Sequence, residues 1–236
     1  SNYGYCSRTE ANRLIEENRV YVNGELCIPG QWVEKEDFIT LDGKEVKEKE
    51  KIYLAFYKPR GIICTAAKDK ENNIIDFINY GEYIFPVGRL DKDSEGLILL
   101  TNDGDFADKI ISSEYYHEKE YIVKVDNIIT EEFLFNMRSG VKILGQITRS
   151  CIIEKIDDFM FKIILTQGLN RQIRRMCLAL GYKVVELKRI RIMNIKLGNL
   201  KYGKYKHIDD GTIKEIISLN LKNKKSLKIE IFLLVI

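Results

Sequence analysis

The chain has 236 residues, of which 45% are hydrophobic and 31% are charged, and its formal net charge is +3. These values are typical of a folded globular protein and exclude a disordered or fibrous chain. The length is sufficient for one large domain or two smaller ones, and we expect two unequal domains.

The five cysteines are an odd number, and no two of them have the spacing of metal ligands. They predict neither a disulfide framework nor a zinc site, and they favour a reducing compartment. The N-terminus has no basic segment followed by an apolar one, and the apolar run Ile231–Ile236 is far too short to span a bilayer. We expect a cytoplasmic, monomeric protein that binds no membrane.

The first elements along the chain are a helix and two hairpins. Ser7-Arg8-Thr9-Glu10 has the pattern of a capping box, which predicts that a helix begins there. Val20-Tyr21-Val22 leads into Asn23-Gly24, a pair that suits a tight hairpin because both residues tolerate positive φ. The run Phe38–Leu41 followed by Asp42-Gly43 repeats this pattern.

The stretch Lys44–Lys51 is almost entirely charged, with Val46 as its one apolar residue, so we place a domain boundary there. Beyond it, strand-like runs alternate with shorter helical segments, which predicts an α+β fold with a large, mostly antiparallel mixed sheet flanked by helices. We predict a small domain over 1–46, a linker over 47–51, a large domain over 52–219 and a tail of unassigned role over 220–236. Strands are predicted over Tyr53–Tyr57, Tyr83–Val87, Leu97–Leu100, Tyr121–Val125, Phe159–Leu165 and Val184–Ile195.

The most informative predicted helix covers Asn170–Leu180, and a further helix is predicted over Thr212–Leu219. In the first, apolar residues lie on one face and three arginines on another, so the helix can pack and present guanidinium groups at once. From Asn170 to Lys206 there are eleven basic residues and one acid, Glu186. Residues 1–50 lean the other way, with seven basic and eleven acidic residues. A polyanion would therefore be bound mainly by the second half.

The loop Gly88–Leu97 places Asp91 between two apolar strands, where a rigid sheet can hold an acid at a cleft. An unpaired aspartate has a pKa of about 3.9 and is ionised at neutral pH, so it can act as a nucleophile. Most loop aspartates are solvated turn residues. The spacing Asp91, Asp93, Glu95 also imitates a calcium loop, but position 12 is Asn102, which cannot supply a bidentate carboxylate.

Other chemistries have weaker support in the sequence. The two histidines, His117 and His207, are not accompanied by a nearby cysteine nucleophile at a recognisable motif, which argues against Ser-His or Cys-His hydrolysis. No Gly-x-Gly-x-x-Gly run or P-loop is present, so no nucleotide cofactor is indicated. We expect neither a cofactor nor a metal.

Three runs together resemble the RsuA/RluB/RluE/RluF family of bacterial rRNA pseudouridine synthases: Gly88–Leu97, Glu118–Tyr121 and Gln167–Met176. Their order and spacing match as well, and the resemblance extends from about Ser7 to Leu219. Within the family, the runs are most similar to those of the RluF branch, whose substrate is a 23S rRNA stem-loop. The resemblance implies an enzyme that isomerises a uridine in structured RNA, with 23S rRNA as the expected partner and tRNA as a second candidate.

The resemblance also implies roles for individual residues. Asp91 matches the nucleophile, and Arg174 matches the arginine that pairs with it. Tyr121 matches the aromatic residue that stacks on the target base and is a candidate for moving the proton at C5. Leu187 matches the apolar residue that closes the pocket. Arg89 is the candidate for filling the space of the flipped-out nucleotide. The other expected RNA contacts are Ser7, Arg8, Asn170, Arg171, Gln172, Arg175, Lys188, Arg189 and Arg191.

The N-terminal unit resembles an S4 RNA-binding domain through Gly4–Arg8 and Val20–Gly24. Members of the family usually carry a further helix before the glycine, whereas three residues precede Gly4 here, so we expect a shortened S4 unit. The alternative to an enzyme is a non-catalytic S4-type RNA-binding or ribosome-assembly protein. A metal-dependent phosphatase built on Asp91 and Asp93 is a third possibility.

Overall fold

The computed structural model describes residues 3–34, 36–67 and 70–219, so the predicted tail over 220–236 lies outside the described residues. The fold class is α+β, as the sequence predicts. The described strands are β1 (Val20–Val22), β2 (Glu25–Leu26), β3 (Ile39–Leu41), β4 (Lys44–Glu45), β5 (Tyr53–Lys58), β6 (Phe85–Val87), β7 (Glu95–Thr101), β8 (Lys119–Val125), β9 (Lys142–Ile143), β10 (Gln146–Ile147), β11 (Ile152–Lys155), β12 (Met160–Leu165), β13 (Val184–Ile192), β14 (Ile195–Lys196) and β15 (Tyr205–His207). The helices are α1 (Arg8–Glu16), α2 (Ile74–Ile78), α3 (Gly104–Ile111), α4 (Glu131–Ser139) and α5 (Gln172–Ala179), with a further helical stretch over 210–219.

The N-terminal elements form as the sequence predicts. Ser7 caps α1, and its hydroxyl accepts a hydrogen bond from the amide of Glu10 at 3.1 Å. Strands β1 to β4 form a small antiparallel sheet in the order β2-β1-β3-β4. Asn23 and Asp42 stand at positive φ in the two turns, each followed by a glycine at positive φ, which is the backbone that the hairpin sequences predict.

The large sheet contains the remaining long strands, in the order β11-β12-β8-β13-β7-β5-β15, with β6 and β14 paired beside this path. All its described pairings are antiparallel except β13 with β7, where Lys188 lies opposite Glu95 and Arg189 opposite Gly96. The parallel pair lies in the middle of the sheet and joins its two halves. The loop that enters β7 therefore lies beside the middle of β13.

The predicted strand Val184–Ile195 is wrong in one respect. Strand β13 ends at Ile192, Met193 adopts φ 51°, and β14 turns back as a hairpin with Ile192 opposite Ile195. Apolar residues stand on both sides of this turn, and Ile192 and Ile195 are both buried. Met193 is partly buried and Asn194 is exposed, so one polar residue interrupts the apolar run, and a pattern of hydrophobicity does not reveal a turn from that alone.

Gly96 allows β7 and β13 to approach each other. It has φ +109°, and a Cβ atom there would lie 2.2 Å from the carbonyl oxygen of Arg189. Only glycine fits this position, because any side chain would collide with backbone as well as strain φ. The close contact holds the start of β7, and with it the preceding loop, against β13.

Three groups of buried side chains support this sheet. One lies between α4, α5 and the half of the sheet that contains β8, β12 and β13. In α5, Ile173, Met176 and Cys177 are buried, whereas Arg174 and Arg175 are partly buried and Arg171, which precedes the helix, is exposed. Tyr121 packs against two of the groups and so lies where they meet.

Candidate active site

A cavity of about 530 Å³ opens at the middle of the large sheet. Its walls come from the loop 88–94, strands β8 and β13, the C-terminal end of α3 and the segment that leads into α5. The cavity therefore forms where the parallel strand pair brings distant parts of the chain together. Its charged lining residues are Arg89, Asp91, Lys119, Arg171 and Arg189.

The loop that carries Asp91 is fixed by hydrogen bonds to the segment 61–64 and by a hydrogen bond within the loop. The amide of Leu90 donates to Sγ of Cys64 at 3.3 Å, and the amide of Gly61 donates to the carbonyl of Lys92 at 2.8 Å. Within the loop, the amide of Ser94 donates to the carbonyl of Asp91 at 3.0 Å. These bonds hold the backbone of Asp91 in one place before any substrate binds, which is the preorganisation that catalysis requires.

Two guanidinium groups face the Asp91 carboxylate. Nη1 of Arg171 lies 3.6 Å from Oδ2 of Asp91, and Nε of Arg174 lies 3.9 Å from the same oxygen. The side chain of Asp91 is 29% exposed and that of Arg174 is 13% exposed, so this pair is partly shielded from solvent and its attraction is stronger than at an open surface. The structure thus brings the predicted Asp91–Arg174 pair together.

Arg174 is anchored by the backbone around it. Its Nη1 donates to the carbonyl of Val184 at 3.2 Å, and its Nη2 donates to the carbonyl of Asp93 and the hydroxyl of Ser94, both at 3.2 Å. Burial lowers the pKa of Arg174 from its ordinary value, and the neighbouring charge of Arg171 lowers it further. The fork of donors ties α5, the Asp91 loop and the start of β13 into one unit.

Arg171 has a left-handed backbone conformation, and its side chain faces Asp91 and Asp93. It stands just before α5 with φ 50° and ψ 37°, and no side chain caps the helix there. Its Nη1 also lies 3.5 Å from Oδ2 of Asp93. A non-glycine residue in the left-handed region carries a small conformational cost, and such residues are found at functional sites.

Tyr121 and Leu187 come from adjacent strands and line the same cavity. Tyr121 on β8 lies opposite Arg189 on β13, and Leu187 lies opposite Val123. Since alternate residues of a strand share a face, Tyr121 and Leu187 both lie on the face that carries the cavity. Leu187 is 6% exposed, while Tyr121 is partly buried. The structure therefore gathers all four residues for which the resemblance implies a catalytic role.

The expected RNA contacts divide into an exposed set and a buried set. Arg89, Asn170 and Arg171 are exposed and line the cavity, so they lie at its mouth. Arg175 is partly buried, and its Nε donates to the carbonyl of Asn170 at 3.0 Å. These residues form a basic rim where an RNA strand can reach them.

Gln172 and Arg189 lie inside the protein and not on the open surface expected of RNA contacts. Both are 4% exposed. The Oε1 of Gln172 accepts from the amide of Leu169 at 3.0 Å, and Nε of Arg189 donates to the carbonyl of Leu97 at 2.7 Å. Their first role is to satisfy backbone groups in the cavity wall.

Arg191 and Lys188 also have partners within the protein. Nε of Arg191 donates to Glu120 at 2.5 Å and its Nη2 to Glu118 at 3.0 Å. Because the strand pairing shifts between Arg189 and Arg191, Arg191 lies opposite Glu120, whereas regular pairing from Arg189 and Tyr121 would place it opposite Lys119. Lys188 lies with its Nζ 5.0 Å from the ring centre of Tyr57. Neither Arg191 nor Lys188 lines the cavity.

Ser7 and Arg8, the expected RNA contacts of the N-terminal unit, lie outside the cavity. Ser7 caps α1, and the side chain of Arg8 is 79% exposed. Nη2 of Arg8 lies 3.4 Å from a carboxylate oxygen of Asp108 on α3. At this exposure the ion pair contributes little to stability, so Arg8 is available to a phosphate.

Several residues of the site were not singled out from the sequence. Lys58 is fully buried and donates to the carbonyls of Pro59 and Ile62, Cys64 supports the loop, and Ser94 accepts from Arg174. Lys119 lines the cavity two residues before Tyr121 on β8. The alternation of strand β8 could have indicated Lys119, because residues two apart share a face.

The three residues with the spacing of a calcium loop, Asp91, Asp93 and Glu95, contact other side chains of the protein. Asp91 and Asp93 both face Arg171, and Glu95 accepts a hydrogen bond from the hydroxyl of Tyr57 at 2.7 Å. Within residues 3–34, 36–67 and 70–219, no group of three or more potential metal ligands is present. In the same described parts of the chain, no helix is long and apolar enough to cross a bilayer.

Comparisons with known proteins agree with this geometry. A family model described as RNA pseudouridylate synthase matches residues 52–179, and a model of the S4 domain matches residues 1–39. The chain is 44% identical over 229 residues to the dual-specificity RNA pseudouridine synthase RluF of Escherichia coli strain K12, which covers 96% of this chain and 79% of that protein. It is 34% identical over 225 residues to the ribosomal large subunit pseudouridine synthase B of Bacillus subtilis strain 168, with 92% of each chain covered.

A crystal structure of a pseudouridylate synthase has a similar fold, with a TM-score of 0.68 at 30% sequence identity, over 91% of this chain and 95% of the other. The matched catalytic segment, residues 52–179, contains Asp91, Tyr121 and Arg174. The resemblance inferred from the three sequence runs is thereby confirmed. The chain belongs to the RNA pseudouridylate synthase family and is an enzyme that isomerises uridine to pseudouridine in RNA.

Proposed function

We propose that Asp91 is the nucleophile of this enzyme and that its substrate is a uridine in a stem-loop of 23S rRNA. One observation carries the assignment of Asp91: among the described residues that line the cavity, it is the sole carboxylate, and two guanidinium groups face it. A carboxylate held in this way is positioned to act as a nucleophile.

The reaction breaks the bond between C1′ and N1 of the uridine and forms a bond between C1′ and C5. A proton leaves C5 and N1 gains one, so atoms and charge balance without a redox partner. Asp91 supplies the nucleophile; attack on the sugar, addition to the base and passage through a glycal all remain compatible with its position. Tyr121 stacks on the base and Leu187 closes the pocket beside it, while Arg174 holds the carboxylate.

The RNA is gripped by the basic rim and by the N-terminal unit. Arg89 and Arg171 lie at the mouth of the cavity, where they can contact phosphates of a strand whose target nucleotide has left its stack. Arg89 fills the space that this nucleotide vacates. Ser7 and Arg8 add contacts from the S4 unit, at a distance from the cavity.

The substrate assignment rests on the relatives. One is a ribosomal large subunit pseudouridine synthase, and another is described as a dual-specificity RNA pseudouridine synthase. We infer that this chain modifies large-subunit rRNA and accepts a second RNA, for which tRNA is the candidate. It would act as a monomer in the cytoplasm, where both RNAs occur.

The experiment is a comparison of Asp91→Asn with wild type on a 23S rRNA stem-loop that carries tritium at C5 of its uridines. Wild type should release tritium and form pseudouridine, whereas Asp91→Asn should bind the RNA with similar affinity and form no product. Asp93→Asn serves as the matched variant, since Asp93 lies in the same loop but does not line the cavity, and it should keep most of the activity. Product formation by Asp91→Asn would overturn the assignment.

The same assay separates the alternatives. A non-catalytic RNA-binding or assembly protein would bind the stem-loop without releasing tritium in any variant. A metal-dependent phosphatase built on Asp91 and Asp93 would release no tritium from C5 either, and its release of phosphate would stop on addition of a chelator. We expect no effect of the chelator, because the proposed chemistry uses a carboxylate as nucleophile and no metal.

A further inference from the structure

The charges that line the cavity do not balance. Four lining residues are cationic, namely Arg89, Lys119, Arg171 and Arg189, and one, Asp91, is anionic. Arg171 already faces Asp91 and Asp93. The excess of positive charge therefore lies on Arg89 in the loop 88–94 and on Lys119 and Arg189, which share the β8 and β13 wall.

Lys119 has no carboxylate partner among the described residues. Its ammonium donates one hydrogen bond, to the carbonyl of His117 at 3.3 Å. Strand pairing places Lys119 beside Leu165 of β12 on one side and Ile192 of β13 on the other, so its neighbours across the sheet are apolar. Burial lowers the pKa of Lys119 to about 8, and the charge of Arg189 contributes to this shift.

Arg189 is the second cation of this wall and is also incompletely satisfied. It is 4% exposed, its Nε donates to the carbonyl of Leu97, and its Nη1 lies 3.5 Å from the carbonyl of Arg89. Its Nη2 is buried and has no hydrogen-bond partner in the described structure. An unpaired donor on a buried charged group is costly, and such groups in native proteins call for a reason.

Two like charges placed side by side in a partly buried wall destabilise the empty protein, and an anion between or beside them would remove that cost. We propose that Lys119, supported by the charge of Arg189, binds a phosphate of the substrate strand next to the target uridine. This inference rests on the proposed function of the cavity and assigns a substrate contact within it.

The ligand chemistry favours a phosphate over the base itself. A uracil ring is neutral in the bound substrate, whereas each phosphodiester carries a permanent negative charge that lysine contacts as a point charge. A cavity of about 530 Å³ is of the size that accommodates a whole nucleotide and is larger than one base requires. The position of Lys119 on the same strand face as Tyr121, two residues away, places it next to the proposed base site.

The test measures RNA affinity as a function of salt at pH 6.5, where the Lys119 ammonium is charged. Binding of the stem-loop is compared for Lys119→Gln and Lys119→Arg in the Asp91→Asn background, so that no turnover disturbs the measurement. Lys119→Gln should bind roughly tenfold more weakly, and the slope of log Kd against log salt should fall by about 0.7 to 0.9. Lys119→Arg should keep the slope, since it keeps the charge.

Lys124→Gln is the matched control. Lys124 lies on the same strand, is exposed, and does not line the cavity, and its Nζ lies 3.8 Å from Glu186. Its removal should leave the slope unchanged. Melting curves of all variants establish that they are folded, and Lys119→Arg keeps the inference testable should Lys119→Gln fail to fold.

A phosphate walk identifies the source of the negative charge. Neutral methylphosphonates are placed one at a time at the phosphates flanking the target uridine. At one of these positions the methylphosphonate should weaken RNA binding by the protein that retains Lys119. The same methylphosphonate should not weaken RNA binding by Lys119→Gln any further. The phosphate assignment is overturned if no position shows this. It is also overturned if Lys119→Gln slows turnover in the protein that retains Asp91 while the affinity measured in the Asp91→Asn background is unchanged. Tritium release by wild type on the same stem-loop tests the proposed function separately, so the two failures are distinguishable.

Discussion

Nε of Arg174 lies 3.9 Å from Oδ2 of Asp91, which is too long for a hydrogen bond, and that nitrogen is buried without a partner in the described structure. The remaining nitrogens of Arg174 are fixed by Val184, Asp93 and Ser94. Leaving a buried charged donor unsatisfied costs about 1 to 3 kcal/mol, so there is a driving force to shorten this contact. Catalytic hydrogen bonds are often long in free enzymes and tighten when substrate binds.

Arg174→Lys should therefore impair the reaction even though it keeps the charge. A lysine cannot replace a planar fork that donates to Val184, Asp93 and Ser94 while facing Asp91. We expect kcat to fall by roughly 10²-fold with a smaller change in KM, because the variant misplaces the nucleophile. Steady-state tritium release from the stem-loop measures both constants.

The control for this variant is Arg138→Lys. Arg138 lies on α4, away from the cavity, and its Nη2 donates to the carbonyl of Ile153 at 3.4 Å. It should retain wild-type kcat. Full activity of Arg174→Lys would show that charge alone is sufficient and that the anchoring geometry is not required.

Tyr121→Phe separates stacking from proton transfer. The ring of Tyr121 lines the cavity and packs against two of the buried groups, and phenylalanine retains both contacts. If the hydroxyl moves the C5 proton, Tyr121→Phe should lose about 10²- to 10⁴-fold in kcat at nearly unchanged affinity. Tyr121→Leu should lose affinity as well, because it removes the stacking ring. Turnover of Tyr121→Phe at the wild-type rate would leave the residue with a stacking role alone.

The sequence predicts those parts of the fold that depend on local chemistry. Asn23-Gly24 and Asp42-Gly43 determine their turns, and Ser7 determines the start of α1, because the backbone conformation follows from those residues themselves. Helices α2, α3 and α4 were not predicted individually, although α3 and α4 are about as long as α1 and α5. The end of β13 was missed since buried apolar residues, Ile192 and Ile195, stand on both sides of the turn at Met193.

The site was predictable only in part, for a similar reason. The matching motifs indicate Asp91, Tyr121 and Arg174 as residues of the site. They do not indicate which neighbouring side chains are buried, because the burial of a strand residue depends on how its strand pairs with the next. Gln172 lies inside because its side chain faces the segment before α5. Arg189 lies inside because it stands opposite Tyr121 in the sheet. Arg191 lies elsewhere because of the irregular pairing that follows Arg189. A one-residue shift in a strand moves a side chain to the other face, and a single sequence does not reveal it.

Gly96→Ala tests the close approach of β7 to β13. The new Cβ would lie 2.2 Å from the backbone oxygen of Arg189 at φ +109°, so the strands must separate. We expect a loss of more than about 3 kcal/mol in the free energy of unfolding, since steric overlap adds to backbone strain. Gly24→Ala, at φ +86° with nothing within 4 Å, carries the strain without the collision and should lose about 1 kcal/mol. Equal losses in denaturant titrations would contradict the steric argument.

Lys119→Met should stabilise the free protein in a pH-dependent way. The pKa of Lys119 is lowered from 10.5 to about 8 in the fold, so between these values the unfolded chain binds more protons than the native one. Wild-type stability should therefore rise with pH across this window, and below pH 8 the full cost of the buried charge is present. At pH 7 the variant should gain up to about 3 kcal/mol in the free energy of unfolding, and the gain should shrink as the pH approaches 10.

Denaturant titrations of wild type and Lys119→Met at pH 7 and pH 10 check this expectation, with the exposed Lys124→Met as control. A gain that is the same at both pH values would mean that Met packs better than Lys and that charge burial is not the cause. If Lys119→Met is more stable than wild type at pH 7 and also binds RNA more weakly, the protein retains the Lys119 cation for RNA binding although it lowers the free energy of unfolding. That combination is expected of a group whose favourable partner arrives with the substrate, as the proposed phosphate contact requires.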